Sequence, residues 1–336
     1  MWTRLSMTMM PALLAVYMPM CAPHVRPTAN PWDARMGELW QLPEDLAERD
    51  LYNGPWGERH APSPGAVYTF KATKDHGTNP GVVVVDPEGR EWHVKQPPHN
   101  HQGAEGPIEV VVSRVLSAVG YHQPPVYFLR SFTMRDASGT RVVPGGRFRL
   151  SMKELKKEDA WSWQQNPFVG TKPYQGLLAI LLMFNSSDLK NVNNSLYRYT
   201  RADDTTEYWY VVRDLGTALG ETARLFPHRG DPDLFERGPF ISRMDHGYVG
   251  FSYHGWHREL VKHRITPEEV AWASDLLNGL SYAQWLDAFR AGGYDEATSR
   301  RFIAELQRRI ADGYRVASTD PRVNRWRWHW VSTSPF

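Results

Sequence analysis

The chain has 336 residues, enough for one large domain or two smaller ones. Apolar residues make up 41% of it and charged residues 23%, which excludes a disordered chain and implies a sizeable core. The net charge of +2 comes without a basic run, so nothing marks a nucleic-acid partner, and the single cysteine, Cys21, excludes an intrachain disulfide.

Arg4 is followed by an apolar stretch, LSMTMMPALLAVYMPM, too short for a membrane span and suited to the hydrophobic part of a signal. Residues 1–23 are therefore a candidate signal or lipoprotein leader, although Met-Pro-Met before Cys21 is not the small-residue pattern of lipid attachment. On this pattern, export or the cell envelope is favoured over the cytoplasm. Residues 24–65 are rich in Pro, Gly and Trp and read as a wrapping arm with one short helix near 43–50.

Residues 66–148 turn to β structure. AVYTFKAT is a strand, and GVVVVDPEGREWHVK is two strands about the turn Asp86-Pro87-Glu88-Gly89. Between them lies the loop KDHGTNPG, residues 74–81. In IEVVVSRVLSAVG (108–120), Val111, Val115 and Val119 recur at four-residue spacing before Gly120, which is a helix with its stop signal. VYFLRSFTM and TRVVPGGRFRLSM add two strands.

Residues 149–318 read as mostly helical. ELKKEDAWSW and KPYQGLLAILLMF are expected helices, followed by a hairpin (SLYRY, EYWYVVR) and a long loop, ARLFPHRGDPDLFERGPF. ITPEEVAWASDLLNGL opens on a Thr-Pro-Glu-Glu start signal, SYAQWLDAFRAGG follows, and DEATSRRFIAELQRRIADGY sets Phe302, Leu306 and Ile310 on one face. The tail, 319–336, alternates Trp with Arg and is expected to add an edge strand or to pack.

One stretch breaks the pattern. After the apolar run GLLAILLMF the chain sets down NSSDLKNVNN, with an Asp, a Lys and several Asn in a few residues. Such clusters usually cap turns. Here the burst lines up with three other features. Lys95 ends the third strand. An acidic residue, Glu109 or else Glu105, lies at the start of the lone helix of the β-rich part. Asp214-Leu215-Gly216 ends the hairpin.

In order and in all four elements this resembles the protein-kinase-like fold, over roughly residues 66–315. Within it, the apolar run into the Asn-rich turn is most similar to the atypical branch of HipA-type and phosphatidylinositol kinases. The resemblance implies an α+β fold of two lobes, a small β-rich N-lobe with one helix and a larger, mostly helical C-lobe. It also implies ATP and Mg²⁺ as cofactors and a phosphoryl acceptor of unidentified class.

Phosphoryl transfer needs cations held by carboxylates and amides. Asp214, followed by a flexible Leu-Gly, can offer a carboxylate to the metal, and Asn193 a carbonyl oxygen. Asp188 can orient or deprotonate an attacking hydroxyl, and Lys190 can reach the transferred group. Lys95 can bind phosphate oxygens if Glu109 fixes its stem; Glu105, placed before Gly106-Pro107, is expected in the loop. Gly77 and Gly81 let backbone amides approach phosphates closely.

The departures are specific. No Gly-x-Gly-x-x-Gly occurs, Ser186-Ser187 stand before Asp188 in place of His-Arg, and no Ala-Pro-Glu follows. Asn191, Asn193 and Asn194 compete for the metal role. Two other readings stand beside the kinase: a kinase-like nucleotide-binding module without transfer, and an unrelated metal-dependent hydrolase built on Asp188 and Asp214. The histidines at 93, 99 and 101, and at 246, 254, 257 and 263, show no helical spacing and read as solvated loop residues.

Overall fold

The computed structural model describes residues 34–74, 79–97, 104–223 and 228–320. The leader, the start of the arm, Gly77 and nearly all of the tail lie outside them, so the expectations placed there are not addressed by the structure.

Elements β1 (Val67–Thr73), β2 (Gly81–Val85), β3 (Glu91–Lys95), α1 (Glu105–Ala118), β4 (Val126–Asp136) and β5 (Gly139–Leu150) come first. The five strands close into a barrel in the order β1-β2-β3-β5-β4, with β1 parallel to β4 and every other pair antiparallel. The β2–β3 turn forms where the sequence places it. Asp86 Oδ1 accepts from the backbone NH groups of Glu88 (3.1 Å) and Arg90 (2.8 Å), and Trp92 Nε1 donates to Asp86 Oδ2 at 2.9 Å. Inside the barrel, Tyr68, Trp92, Phe132 and Phe148 meet ring to ring at 5.1–6.0 Å.

Helix α1 begins three residues before the sequence pattern suggests. Pro107 is its third residue, where a missing NH costs nothing because first-turn NH groups have no helical partner. Glu105 is thus the first residue of the helix and Glu109 lies one turn further on, which corrects the placement of Glu105 in a loop. From Ile108 to Ala118 every residue of α1 is buried. Its apolar side chains join the core of the helical part rather than that of the barrel.

The second part contains β6 (Leu155–Asp159), α2 (Lys172–Met183), β7 (Asn194–Thr200), β8 (Thr206–Val212), α3 (Pro232–Phe235), β9 (Ile241–Asp245), β10 (Tyr248–Phe251), α4 (Pro267–Asn278), α5 (Tyr282–Ala291) and α6 (Glu296–Ser318). The expected helix over ELKKEDAWSW is instead strand β6, paired with β7 on the β7–β8 hairpin. Its Lys and Glu side chains favour helix only weakly, and backbone pairing against an available edge outweighs that preference. The β9–β10 hairpin is likewise absent from the sequence reading; its strands are only five and four residues long, and the exposed run Ser242-Arg243-Met244 shows no alternation.

Helices α2, α4, α5 and α6 bury one common core with α1. Thr266 and Ser281 close capping boxes with Glu269 and Gln284. Phe302, Leu306 and Ile310 share the buried face of α6. The α+β arrangement of two parts expected from the sequence is present: a small β-rich part with one helix, then a mostly helical part. No helix of the described residues is long and apolar enough to cross a membrane.

Candidate active site

The polar burst begins as a helix cap. Phe184 ends α2, and Asn185 adopts the left-handed backbone (φ 53°) that a helix-terminating residue takes. Its NH donates to Leu182 O and the next NH, of Ser186, to Leu181 O, both at 2.9 Å. The buried Arg309 of α6 donates to Asn185 Oδ1 (2.7 Å), to Met183 O (2.9 Å) and to Phe235 O (2.6 Å), and pairs with Glu305 (2.6 Å). The loop after α2 therefore starts from an anchored point.

From there the loop is clamped on both flanks to the Asp214 segment. Ser187 N donates to Thr217 O at 3.1 Å, and Arg213 N donates to Asn193 O at 3.0 Å. Between the clamps, Asn193 Nδ2 donates to the backbone O (2.8 Å) and to Oδ2 (3.0 Å) of Asp188. Lys190 Nζ lies 2.8 Å from Asp188 Oδ1 and 4.7 Å from the centre of the Trp256 ring. Asp188 keeps 22% of its side-chain surface exposed.

The three competing Asn residues separate here. Asn191 Oδ1 accepts from Trp163 N and its amide donates to Ser162 and Gln164. Asn194, fully buried, donates to Trp161 O. Both hold neighbouring loops. Asn193 alone of the three faces Asp188, and among the described residues its Oδ1 accepts no hydrogen bond.

Lys95 joins the two parts. Its Nζ lies 3.0 Å from Glu105 Oε2, 3.2 Å from Asp214 Oδ1 and 3.6 Å from Glu109 Oε2. The expectation that Glu109 rather than Glu105 pairs with Lys95 is thus revised: both do, and Glu105 is nearer. Glu109 divides itself between Lys95 and Arg147, whose Nε lies 3.0 Å from Oε1. Glu105 also takes Arg229 and the amide of Asn79. Arg147 and Arg229 carry no sequence signal, because only the closed barrel and the loop before α3 bring them to the start of α1.

Burial opposes the charges of Lys95, Asp214 and Glu105, and the pairing wins. It would lower the Lys95 ammonium, but Glu109, Asp214 and Glu105 hold it well above the usual lysine value. It would raise the Asp214 carboxyl, but Lys95, Arg213 and Arg147 bring it down to about 2. Glu105 is held below the usual range by Lys95 and Arg229 in the same way. Asp214 is therefore ionised at neutral pH, with 41% of its side-chain surface open. It sits in left-handed backbone (φ 53°) at the end of the β7–β8 hairpin.

The Leu-Gly after Asp214 is not flexible as expected. Leu215 is buried, and a Cβ on Gly216 would lie 2.6 Å from Glu105 O. Glycine is needed there so that the first residue of α1 can close on the Asp214 segment. Gly81 has a local reason of the same kind: a Cβ there would meet Val94 O of β3 at 2.5 Å. Nothing in that packing requires a phosphate.

No family model matches the chain, and no curated protein matches it in sequence. Among solved structures, the chain is similar to the Helicobacter pylori proinflammatory kinase CtkA at 10% identity and a TM-score of 0.43, over 76% of this chain and 100% of that one. It is similar to the Rio2 kinase–ADP/Mg²⁺–phosphoaspartate complex from Chaetomium thermophilum at 13% identity and a TM-score of 0.29, over 72% of each chain. The Golgi casein kinase follows at 12% identity and a TM-score of 0.30, over 76% of this chain and 75% of that one.

Proposed function

We propose that the protein is a kinase-type phosphotransferase that moves the terminal phosphoryl group of ATP to a hydroxyl acceptor. The carrying observation is the meeting of Lys95 and Asp214, 3.2 Å apart, with a loop that is clamped by backbone hydrogen bonds to the Asp214 segment and holds Asp188 and Asn193 between the clamps. An unrelated hydrolase built on the two aspartates would have no use for Lys95, whose buried ammonium is set among three carboxylates.

The residues fit a divalent cation on the Asp214 side. That carboxylate is ionised and partly open, and Asn193 turns its amide NH₂ to Asp188 while its oxygen accepts no hydrogen bond from the described residues. These two would hold Mg²⁺, which when bound neutralises phosphate charge. Lys95 would bind phosphate oxygens, positioned by Glu105 and Glu109. Asp188 would hold the acceptor hydroxyl in line and take its proton as the new O–P bond forms and the bond to the departing ADP breaks. Lys190, beside Asp188 and over Trp256, would face the transferred group. Within this reading, the apolar run into the Asn-rich turn favours the HipA-type and phosphatidylinositol branch over ordinary Ser/Thr kinases, and Ser186-Ser187 before Asp188 is compatible with it.

A second reading, a nucleotide-binding module without transfer, is favoured by one contact: Lys190 already occupies the Asp188 carboxylate. One pair of measurements separates the readings. ATP·Mg²⁺ binding by calorimetry and transfer of γ-labelled phosphate are compared for the native chain and Asp188→Ala. The kinase reading expects unchanged binding and transfer reduced at least about a hundredfold, the low end for a general base. Native binding with no transfer selects the module. Absence of native binding, or full transfer by Asp188→Ala, refutes the proposed mechanism.

A further inference from the structure

Away from the candidate site, three side chains of two separate segments share one small volume. The β9–β10 hairpin turns on His246-Gly247, with φ of 50° and 81° between the paired residues Asp245 and Tyr248. Two consecutive left-handed residues are the signature of a tight hairpin turn in which Asn-Gly or Asp-Gly is the usual choice. Histidine at the first position gives up that preference. His263, on the segment leading into α4, also takes left-handed backbone, with φ 53°.

Both imidazoles turn to the same carboxylate. His246 Nδ1 lies 2.6 Å from Asp245 Oδ1, and His263 Nε2 lies 2.6 Å from Asp245 Oδ2. One ligand atom from each of the three residues lies within 4.8 Å of the others. The two segments are fixed to each other from below: Val249 N donates to Ile265 O at 2.8 Å, and both residues are fully buried. The donor atoms are thus brought together by packed backbone and not by the cluster's own contacts.

Two imidazole nitrogens and a carboxylate oxygen are a donor set for zinc, which binds them at about 2.0–2.2 Å in tetrahedral array. Donor atoms around such an ion stand roughly 3.4 Å apart, from that bond length and the tetrahedral angle. The two 2.6 Å contacts would open by less than about 1 Å, a small rotation for His246, whose side chain is 89% exposed. Arg243 approaches Asp245 Oδ2 at 3.3 Å, and its 70%-exposed side chain is free to leave as a cation enters. His246 and His263 are both exposed, so a cation can reach the cluster from solvent.

We propose that Asp245, His246 and His263 form a divalent transition-metal site of zinc type, which pins the tip of the β9–β10 hairpin to the segment before α4. It is independent of the phosphotransferase reading. The test uses the full chain, freed of metal with a chelator and titrated with Zn²⁺ by calorimetry. Thermal melts are run with and without one equivalent. The expected result is saturable binding of one Zn²⁺ and a higher melting temperature. Loss of at least about tenfold in affinity is expected for His246→Asn and for His263→Ala.

His246→Asn is the decisive variant, because Asn-Gly suits the left-handed tip and keeps the hairpin folded while removing a ligand. Absence of one-equivalent binding by the native chain, or unchanged affinity in His246→Asn, overturns the proposal. The second outcome would place the bound metal on other histidines.

Discussion

Replacing Lys95 by methionine keeps most of the side-chain volume and removes one charge from the centre of three carboxylates. Glu109 retains Arg147 at 3.0 Å and Glu105 retains Arg229, but Asp214 loses the cation 3.2 Å from it. Removing one partner of a buried pair costs about 3–5 kcal/mol. The surviving arginines and the partial exposure of Asp214 place the expected loss lower, at about 2–3 kcal/mol. At this chain length that is a fall in melting temperature of roughly 3–5 °C.

The pH dependence carries the sharper test. In the native protein the Asp214 carboxyl sits at about 2, below its unfolded value. Its contribution is therefore present above pH 4 and lost only as pH falls toward 2. In Lys95→Met the Asp214 carboxyl keeps its burial but loses its nearest cation, and it is expected to rise above its unfolded value. It then destabilises at pH 7 and is relieved as the folded protein takes up a proton on acidification. Denaturant unfolding of both proteins at pH 7 and pH 4.5 should show the gap narrowing by at least about 1 kcal/mol. A gap that is absent at pH 7, or that stays constant to pH 4.5, would refute the picture of Lys95 as the ion balancing this cluster.

Three further outcomes follow from the same geometry. Asp214→Asn should keep the fold but lose Mg²⁺-dependent ATP binding, read by calorimetry with and without the metal; retained Mg²⁺-dependent binding removes the proposed ligand. Gly216→Ala places a methyl 2.6 Å from Glu105 O and should lower stability by about 1–3 kcal/mol in denaturant titration. Arg309→Leu leaves the Met183 and Phe235 carbonyls without their donor and Asn185 without its anchor. A cost of about 3–5 kcal/mol is expected by thermal and chemical unfolding, and a loss within 0.5 kcal/mol, the usual range for surface changes, would show that α6 does not hold the loop.

Local chemistry was legible in the chain itself. Asp86-Pro-Glu-Gly sets its hairpin through the Asp86 side chain, and Thr266 and Ser281 announce helices with their own capping boxes. The end of α2 was legible too, because an apolar run closed by Asn185 needs no distant partner to stop. The order of Lys95, α1, the Asp188 loop and Asp214 was also legible, since each stands at the border of a periodic element.

What lay beyond the sequence depends on residues far apart in the chain. β6 is a strand because β7 offers it an edge, whatever its own weak helical preference. The division of Lys95 among Glu105, Glu109 and Asp214 follows from where α1 begins and how it is buried. The choice of Asn193 over Asn191 and Asn194 follows from which loops the other two hold. Asp245, His246 and His263 meet because Val249 pairs with Ile265. Periodicity reports which face of an element is buried. It carries no information on which of several equivalent polar side chains a distant segment will meet, and only the closed packing of the chain decides that.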